Sequence, residues 1–166
     1  MSIIISGMSG AIDAAKKVQA KNDVTQIATA IVAYETEYGK LPTTSATDVL
    51  VPAGANSGTA TDIITILANL MSASPGNTNN PRAITFLEVP TAKKGKSGIT
   101  NNVFVDPWGG TYQIYLDGDY DNTLTYSVPS LSAGGTESVT VRKRAMVWNT
   151  NDATGSLYRK RVRSWE

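Results

Sequence analysis

The 166-residue sequence predicts an α+β fold in which one long N-terminal helix packs on a small antiparallel sheet. Apolar residues follow helical spacing up to residue 38 and strand spacing beyond residue 103, and a long loop-rich region lies between them. The chain has the length of one ordinary domain, so helix and sheet are expected to bury a common core. Residues 1–166 are therefore predicted to form a single domain.

The long helix is predicted over residues 11–38, which hold no Pro or Gly. Gly39 and Pro42 supply its stop, because Gly accepts a positive φ and Pro cannot continue a helix. Its sheet-facing side carries apolar residues three and four apart, namely Val24, Ile27, Ala28, Ile31, Tyr34 and Tyr38. Its first half carries small apolar residues suited to close packing against another helix, namely Ala11, Ala14, Ala15 and Val18. The two halves are thus expected to face different partners.

Residues 39–102 are predicted to form a variable region of loops around a short second helix near residues 61–71. The helix is indicated by closely spaced apolar residues from Ile63 to Met71, and Thr61 or Asp62 is placed to cap its start. The polar stretch 72–81 and the Lys- and Gly-rich stretch 93–98 are predicted to be loops.

Residues 103–166 are predicted to form the antiparallel sheet and a C-terminal loop. Apolar residues alternate with polar ones in three segments and less regularly in a fourth: Tyr112, Ile114 and Leu116; Leu124, Tyr126 and Val128; Val139 and Val141; Met146 and Trp148. Asp117-Gly118 and the stretch 133–135 have turn chemistry. We therefore expect consecutive strands joined by short turns.

The amino-acid composition excludes several classes of functional site. The chain has 15 Lys and Arg residues against 14 Asp and Glu, a net charge of +1, and neither His nor Cys. Without those two residue types, His-dependent and Cys-dependent catalytic triads, zinc fingers and thiol redox motifs are excluded. No catalytic constellation is assembled in the sequence, so we expect a protein that is not an enzyme. Any bound metal should be a hard cation held by oxygen.

The turn 117–122 is the candidate metal site. Asp117, Asp119 and Asp121 place three carboxylates at alternating positions, the spacing at which a loop wrapped around a cation presents its oxygens. The sequence departs from an EF-hand loop, because Asn122 stands at the sixth position and Val128 at the twelfth. Two interpretations stay open: a polar turn with solvated carboxylates, or a Ca²⁺ loop of another kind.

Basic residues are concentrated near the C-terminus, in Arg142-Lys143-Arg144, in residues 159–161 and at Arg163. One interpretation is a phosphate-binding patch that uses Trp148, Tyr158 and Trp165 as stacking surfaces. The other is a solvated strand face, or pairing with the acidic turns, and the strand-like alternation favours it. A nucleic-acid partner is therefore not expected.

Several motifs together resemble one protein family. Asp106-Pro107-Trp108-Gly109 predicts a tight turn, anchored by Trp108, at the start of a strand. The helix ends in Tyr38-Gly39-Lys40-Leu41-Pro42, Asn80-Pro81-Arg82 follows, and Val162-Arg163-Ser164-Trp165 stands near the end of the sequence. With these motifs in this order, the chain is similar to the major pseudopilin of type II secretion systems and, more broadly, to type IV pilins. The resemblance runs through most of the chain and implies a pilin-like fold.

The resemblance implies a structural role. Subunits of that family pack through their N-terminal helices into a periplasmic filament that is anchored in the inner membrane and supports protein export. The expected partners are other copies of the chain, other pseudopilins and the inner-membrane assembly platform. A type IV pilin, a minor pilin or an adhesin-like binding module is the alternative that the same elements allow.

The start of the chain departs from the family pattern. The family begins with an apolar anchor that carries Glu at its fifth mature position, whereas Ile5 stands here and no membrane-spanning run is present. We expect a truncated chain, soluble as given, in which residues 1–10 are the remnant or a replacement of the anchor. The full-length protein would contact the membrane only through that missing segment.

The last loop departs as well. The family binds Ca²⁺ there, whereas residues 159–161 of this chain are basic where the family has Asp, and a cationic side chain cannot ligate Ca²⁺. One hypothesis is that a basic group such as Arg161 replaces the ion by pairing with Asp152. The other is that Asp117, Asp119 and Asp121 have taken over Ca²⁺ binding.

Overall fold

The computed structural model describes residues 4–51, 63–71, 77–100, 103–131, 135–150 and 160–166. Its helices are α1 (Ile4–Tyr38) and α2 (Ile63–Met71). Its strands are β1 (Val49–Val51), β2 (Gly98–Thr100), β3 (Val103–Val105), β4 (Tyr112–Leu116), β5 (Leu124–Pro129), β6 (Thr136–Val141) and β7 (Ala145–Asn149). A long N-terminal helix combined with antiparallel sheets confirms the predicted α+β class. Within the described residues, neither helix is both long enough and apolar enough to cross a membrane.

Helix α1 extends the predicted helix back to Ile4 and ends at the predicted stop. Gly39 adopts a φ of +67°, and its N–H donates to the Glu35 carbonyl at 2.8 Å, which closes the last turn. The buried stripe of α1 consists of Ala20, Val24, Ile27, Ala30, Ile31 and Tyr34, with Ala28 and Tyr38 at its margin. The spacing of apolar residues therefore identified the side of the helix that packs on the sheet.

The strands form three separate antiparallel sheets rather than one. β4 is the central strand of a sheet of order β1-β4-β7, whereas β2 pairs with β3 and β5 pairs with β6. The expectation that consecutive strands lie side by side is wrong for β4, because Tyr112 lies opposite Asn149 and Leu116 opposite Ala145 of β7. Apolar alternation marks a strand and its buried face, but it does not specify the neighbouring strand.

The three-stranded sheet has a hydrophobic core on each face. On one face Ile114 and Val147 pack against the buried stripe of α1. On the other face Met146 and Trp148 pack against the β5–β6 hairpin. Because β7 contributes to both cores, all five of its residues are buried. The layers are therefore helix, sheet and hairpin, and an aromatic series with ring centroids 4.7–6.2 Å apart lines the second core: Tyr115, Tyr126, Trp148 and Trp165.

Asn80 links α2 to the end of α1. Its amide nitrogen donates to the carbonyls of Asn69 and Ile84 at 2.9 and 2.7 Å. Its amide oxygen accepts the Tyr38 hydroxyl at 2.5 Å and the Ile84 N–H at 3.1 Å. Asn80 is buried, and these bonds satisfy both ends of the amide group.

Candidate functional site

The loop 117–122 between β4 and β5, called the acidic loop from here on, holds the candidate metal-binding carboxylates. Asp117 has no solvent exposure, and its Oδ2 accepts the Asn122 N–H at 3.0 Å and the Arg144 Nη1–H at 2.5 Å. Positive φ values of +65° at Tyr120 and +63° at Asn122 curl the backbone back toward Asp117. The Tyr120 hydroxyl accepts the Leu41 N–H at 2.7 Å, which fastens the loop beside the end of α1.

Asp48 joins the acidic loop from a distant part of the chain. β1 runs antiparallel to β4 with Val49 opposite Leu116, so the next step of the same register brings Asp48 opposite Asp117. The two segments lie so close that a Cβ on Gly118 would overlap backbone atoms of residue 47. As a result, one carboxylate oxygen from each of Asp48, Asp117 and Asp119 lies within 4.8 Å of the other two.

Among the described residues, the carboxylates of the acidic loop outnumber the positive groups that pair with them. Arg144, which supplies the positive charge, is shared between Asp117 and Glu35, the latter at 3.1 Å from Nε. The hydrogen bond with Asp117 raises the pKa of Arg144, so the guanidinium stays charged. Burial, followed by the three carboxylates of the acidic loop, raises the pKa of Asp48 above its usual range. Its surroundings therefore disfavour the ionised form of the Asp48 side chain.

The trio of neighbouring carboxylates differs from the predicted one. Asp121 is exposed, and its Oδ1 accepts the Thr123 N–H at 2.6 Å, which stabilises the turn locally. Asp48 lies beside Asp117 and Asp119 instead. The interpretation of solvated carboxylates is wrong for Asp117, which is buried at the end of β4. Sequence analysis missed Asp48 because its place depends on the pairing of β1 with β4, for which the sequence carries no local signal.

The basic residues near the C-terminus divide into exposed and buried groups. Arg142 and Lys143 are exposed, while Arg144 pairs with the acidic loop. Arg161 and Arg163 are only 2% and 4% exposed, so the solvated strand face is wrong for these two. They lie in the segment that follows β7 and packs back onto it. Burial of both leaves them unsuited to a phosphate-binding patch on the surface.

The two buried arginines connect the C-terminal segment, residues 160–166, to the β5–β6 hairpin. Arg161 donates from Nη1 to the Ser130 carbonyl. Arg163 donates to three acceptors: the Pro129 carbonyl at 2.5 Å, the Glu137 carboxylate and the Glu166 carboxylate at 2.8 Å. Asp152, the hypothesised partner of Arg161, lies outside the described residues.

The exposure of side chains on helix α1 changes along its length. Residues 10–19 are exposed except for Lys16, and the buried stripe begins at Ala20. Val18 is 71% exposed and Ile12 is 52% exposed. All the residues predicted to pack against another helix lie in this exposed part: Ala11, Ala14, Ala15 and Val18.

Asp106 organises the turn that the sequence singled out, Asp106-Pro107-Trp108-Gly109. Its Oδ1 accepts the N–H groups of Trp108 and Gly110, both at 2.9 Å, and its Oδ2 accepts the side-chain amide of Asn149 at 2.8 Å. Trp108 is half-buried, and its indole N–H donates to Asp13 of α1 at 3.3 Å. The turn therefore connects β4, β7 and the exposed part of α1.

Comparisons with known proteins found no match to this chain. No family model, no curated protein and no solved structure matches it. The similarity to pseudopilins rests on the motifs in the sequence, and the structure establishes the coarser α+β class.

Proposed function

We propose that the chain is a structural subunit of a filament, specifically a major pseudopilin that assembles through its N-terminal helix into a periplasmic type II secretion pseudopilus and catalyses no reaction. The observation that carries this proposal is the two-part surface of α1. The second half of the helix packs on the sheet, while residues 10–19 stay exposed. A filament subunit needs a helix that makes one set of contacts inside its own domain and another with its neighbours.

Residues 10–19 of α1, called the exposed half from here on, have the properties of an interface. Ala11, Ala14 and Ala15 present little more than backbone, which allows a second helix to approach closely. Val18 and Ile12 leave large apolar side chains in water, and burying such a side chain fully stabilises by about 1.5–3 kcal/mol. Packing this half against the helix of another copy would remove that apolar surface from water.

Two contacts hold the exposed half in a fixed direction. Near its start Asp13 accepts the indole N–H of Trp108, and just beyond its end the Lys21 ammonium donates to the Arg163 carbonyl at 2.5 Å. A fixed direction supports regular assembly, because one contact repeated without closing generates a helical filament.

Engineered cysteines test the proposal cleanly, because the native chain has no Cys. Ala14→Cys and Val18→Cys would be made singly and together in the protein produced from its complete gene in its own host. Intact cells would then be treated with a bis-maleimide cross-linker. We expect covalent dimers from each single variant and a ladder of higher multimers from the double variant, measured by immunoblotting.

Val32→Cys is the matched control. Like Val18, Val32 is a valine on α1, and it is 47% exposed. It lies in the part of the helix whose buried stripe packs on the sheet of its own domain. Dimers formed as readily at residue 32 as at residue 18, or a double variant that stops at the dimer, would contradict the proposal. An adhesin-like binding module, the alternative, would give cross-links at none of these positions.

A further inference from the structure

We propose that Asp48, Asp117 and Asp119 bind a divalent cation, and that Ca²⁺ is the ion they fit. The site lies where the start of β1 meets the end of β4. It is separate from the exposed half of α1 and does not depend on the filament proposal.

Two buried oxygens at this place lack a donor. Oδ1 of Asp117 and Oδ1 of Asp48 are both buried and accept no hydrogen bond. Asp117 has no solvent exposure, and its Oδ2 already accepts hydrogen bonds from Asn122 and Arg144, so Oδ1 is the oxygen that remains for an ion. Buried carboxylate oxygens without a partner are costly and rare, and a bound cation would satisfy both.

The charge balance also favours a cation. Within the described residues, the acidic loop and Asp48 contribute four carboxylates, and the ion pairs recorded there come from Arg144, which Glu35 shares. Like charges at this spacing repel one another, and the repulsion is strongest for groups removed from water. A divalent ion would cancel much of the excess, whereas a water molecule would supply donors without changing the charge.

The spacing of the oxygens suits Ca²⁺. Ca–O distances of about 2.3–2.6 Å place opposite ligands about 4.6–5.2 Å apart, which accommodates oxygens within 4.8 Å of one another. Mg²⁺ demands near-ideal octahedral geometry and gives up its water reluctantly, so it is seldom held by a group of protein carboxylates alone. Backbone carbonyls and water would complete a shell of about six to eight oxygens around Ca²⁺.

The direct test is a calorimetric titration of the metal-free protein with CaCl₂ at neutral pH, with thermal unfolding measured in parallel. A titration to about 10 mM covers the weak sites, near 10⁻⁴–10⁻³ M, that are common outside the cytosol. We expect saturable binding of one ion, a rise in the melting temperature, and reversal by a chelator. MgCl₂ should bind about tenfold or more weakly.

Asp48→Asn and Asp119→Asn locate the site. Each replaces a charged ligand by a neutral side chain of the same shape, and we expect about tenfold or more loss of Ca²⁺ affinity in each. Asp48 is partly exposed and Asp119 exposed, so both variants should fold, which circular dichroism would check. Asp117 is left unchanged because it also holds Arg144.

Asp121→Asn is the matched control in the same loop. It makes the same chemical change outside the trio, and we expect less than about a threefold loss of affinity. Absence of saturable Ca²⁺ binding to the native chain, or native affinity in the Asp48 variant, would overturn the proposal. Equal losses of Ca²⁺ affinity in the Asp119 and Asp121 variants, with no loss in the Asp48 variant, would place the site in the acidic loop alone. That result would also overturn the proposal.

Discussion

The C-terminal segment and the acidic loop are both rich in charge, and they differ in where the opposite charge comes from. In the C-terminal segment two buried guanidinium groups, those of Arg161 and Arg163, donate to carbonyl and carboxylate acceptors on or near the β5–β6 hairpin. In the acidic loop the carboxylates outnumber the guanidinium groups that contact them from the described part of the chain, where Arg144 pairs with Asp117. The first region carries its partners within the chain, whereas the second holds unbalanced negative charge.

This difference shows where an external ion can affect the protein. A guanidinium offers several donors in a fixed geometry and stays charged at every pH that proteins tolerate. The C-terminal segment should therefore not respond to Ca²⁺. A group of close carboxylates responds to cations, because each added positive charge relieves repulsion.

Replacing Arg163 by Ala should have the largest effect. Arg163 is buried, so the variant removes its packing and leaves the Pro129 carbonyl without its donor, whereas the Glu137 and Glu166 carboxylates, each 44% exposed, can turn to water. We expect a loss of about 3 kcal/mol in the free energy of unfolding. Urea unfolding measures it, and the loss should be the same with and without Ca²⁺. Arg163→Lys keeps the charge but not the planar fork, so it should recover only part. A loss below about 1 kcal/mol would show that the segment is not held by this side chain.

Replacing Arg144 by Ala should have the next largest effect and, unlike the first, should depend on Ca²⁺. Removing the Arg144 guanidinium should lower the free energy of unfolding by about 2 kcal/mol in metal-free buffer, because Asp117 is left buried and charged. Saturating Ca²⁺ should recover part of this loss by neutralising the same carboxylates. Unfolding curves of the variant and the native chain, each with and without the ion, provide the comparison. Equal losses in both buffers would mean that Arg144 and Ca²⁺ act at different places.

Replacing Asp23 by Asn should remove a pH dependence. Asp23 accepts the Tyr112 hydroxyl at 2.7 Å, and burial raises the pKa of Asp23, with Asp106 adding to the rise and the Tyr112 hydrogen bond opposing it. Because the folded pKa exceeds the unfolded value of about 3.9, folding favours the protonated acid, and this stabilisation is lost as pH rises through the folded pKa. Asn can keep the hydrogen bond and has no charge to bury.

The quantity to measure is the free energy of unfolding of the native chain minus that of Asp23→Asn, between about pH 4 and pH 7. It should fall as pH rises, and using the difference removes the titrations that both proteins share. A flat difference would mean that Asp23 is as well solvated in the folded chain as in the unfolded one.

Replacing Arg82 by Ala should have the smallest effect. Arg82 pairs with Glu37 on the surface, and its own side chain is 70% exposed. Exposed pairs of this kind contribute about 0–1 kcal/mol, so we expect a loss at the lower end of that range and a further decrease in high salt. The same urea experiment measures it and provides the baseline for the two arginines above. If Arg82→Ala lowers the free energy of unfolding as much as Arg144→Ala does, burial does not explain why these arginines differ in their contribution to stability.

Much of the secondary structure could be predicted from local patterns. The apolar spacing in α1 matches its buried stripe, and Gly39 ends the helix with the expected positive φ. The alternation in β4 matches its burial, with Tyr112, Ile114 and Leu116 all inside. These features depend on residues close to one another in the chain, and for such features backbone geometry alone sets the period.

The partners of the strands and of the charged side chains could not be predicted in the same way. The sequence predicts a less regular alternation around Met146 and Trp148, whereas β7 is buried throughout because a helix covers one face of its sheet and a hairpin covers the other. Asp48 belongs beside Asp117 only because β1 pairs with β4. The sequence favours a solvated strand face, or pairing with the acidic turns, for Arg163, whereas the C-terminal segment folds back and buries it.

Local order, charge content and the absence of His and Cys followed from the sequence, because propensity, periodicity and residue chemistry act over a few residues at a time. Tertiary structure decided which carboxylates meet, which arginines are buried, and which half of α1 stays exposed. Those outcomes depend on contacts between segments far apart in the chain, where the free energy of burying apolar surface selects one arrangement among several that the local patterns allow.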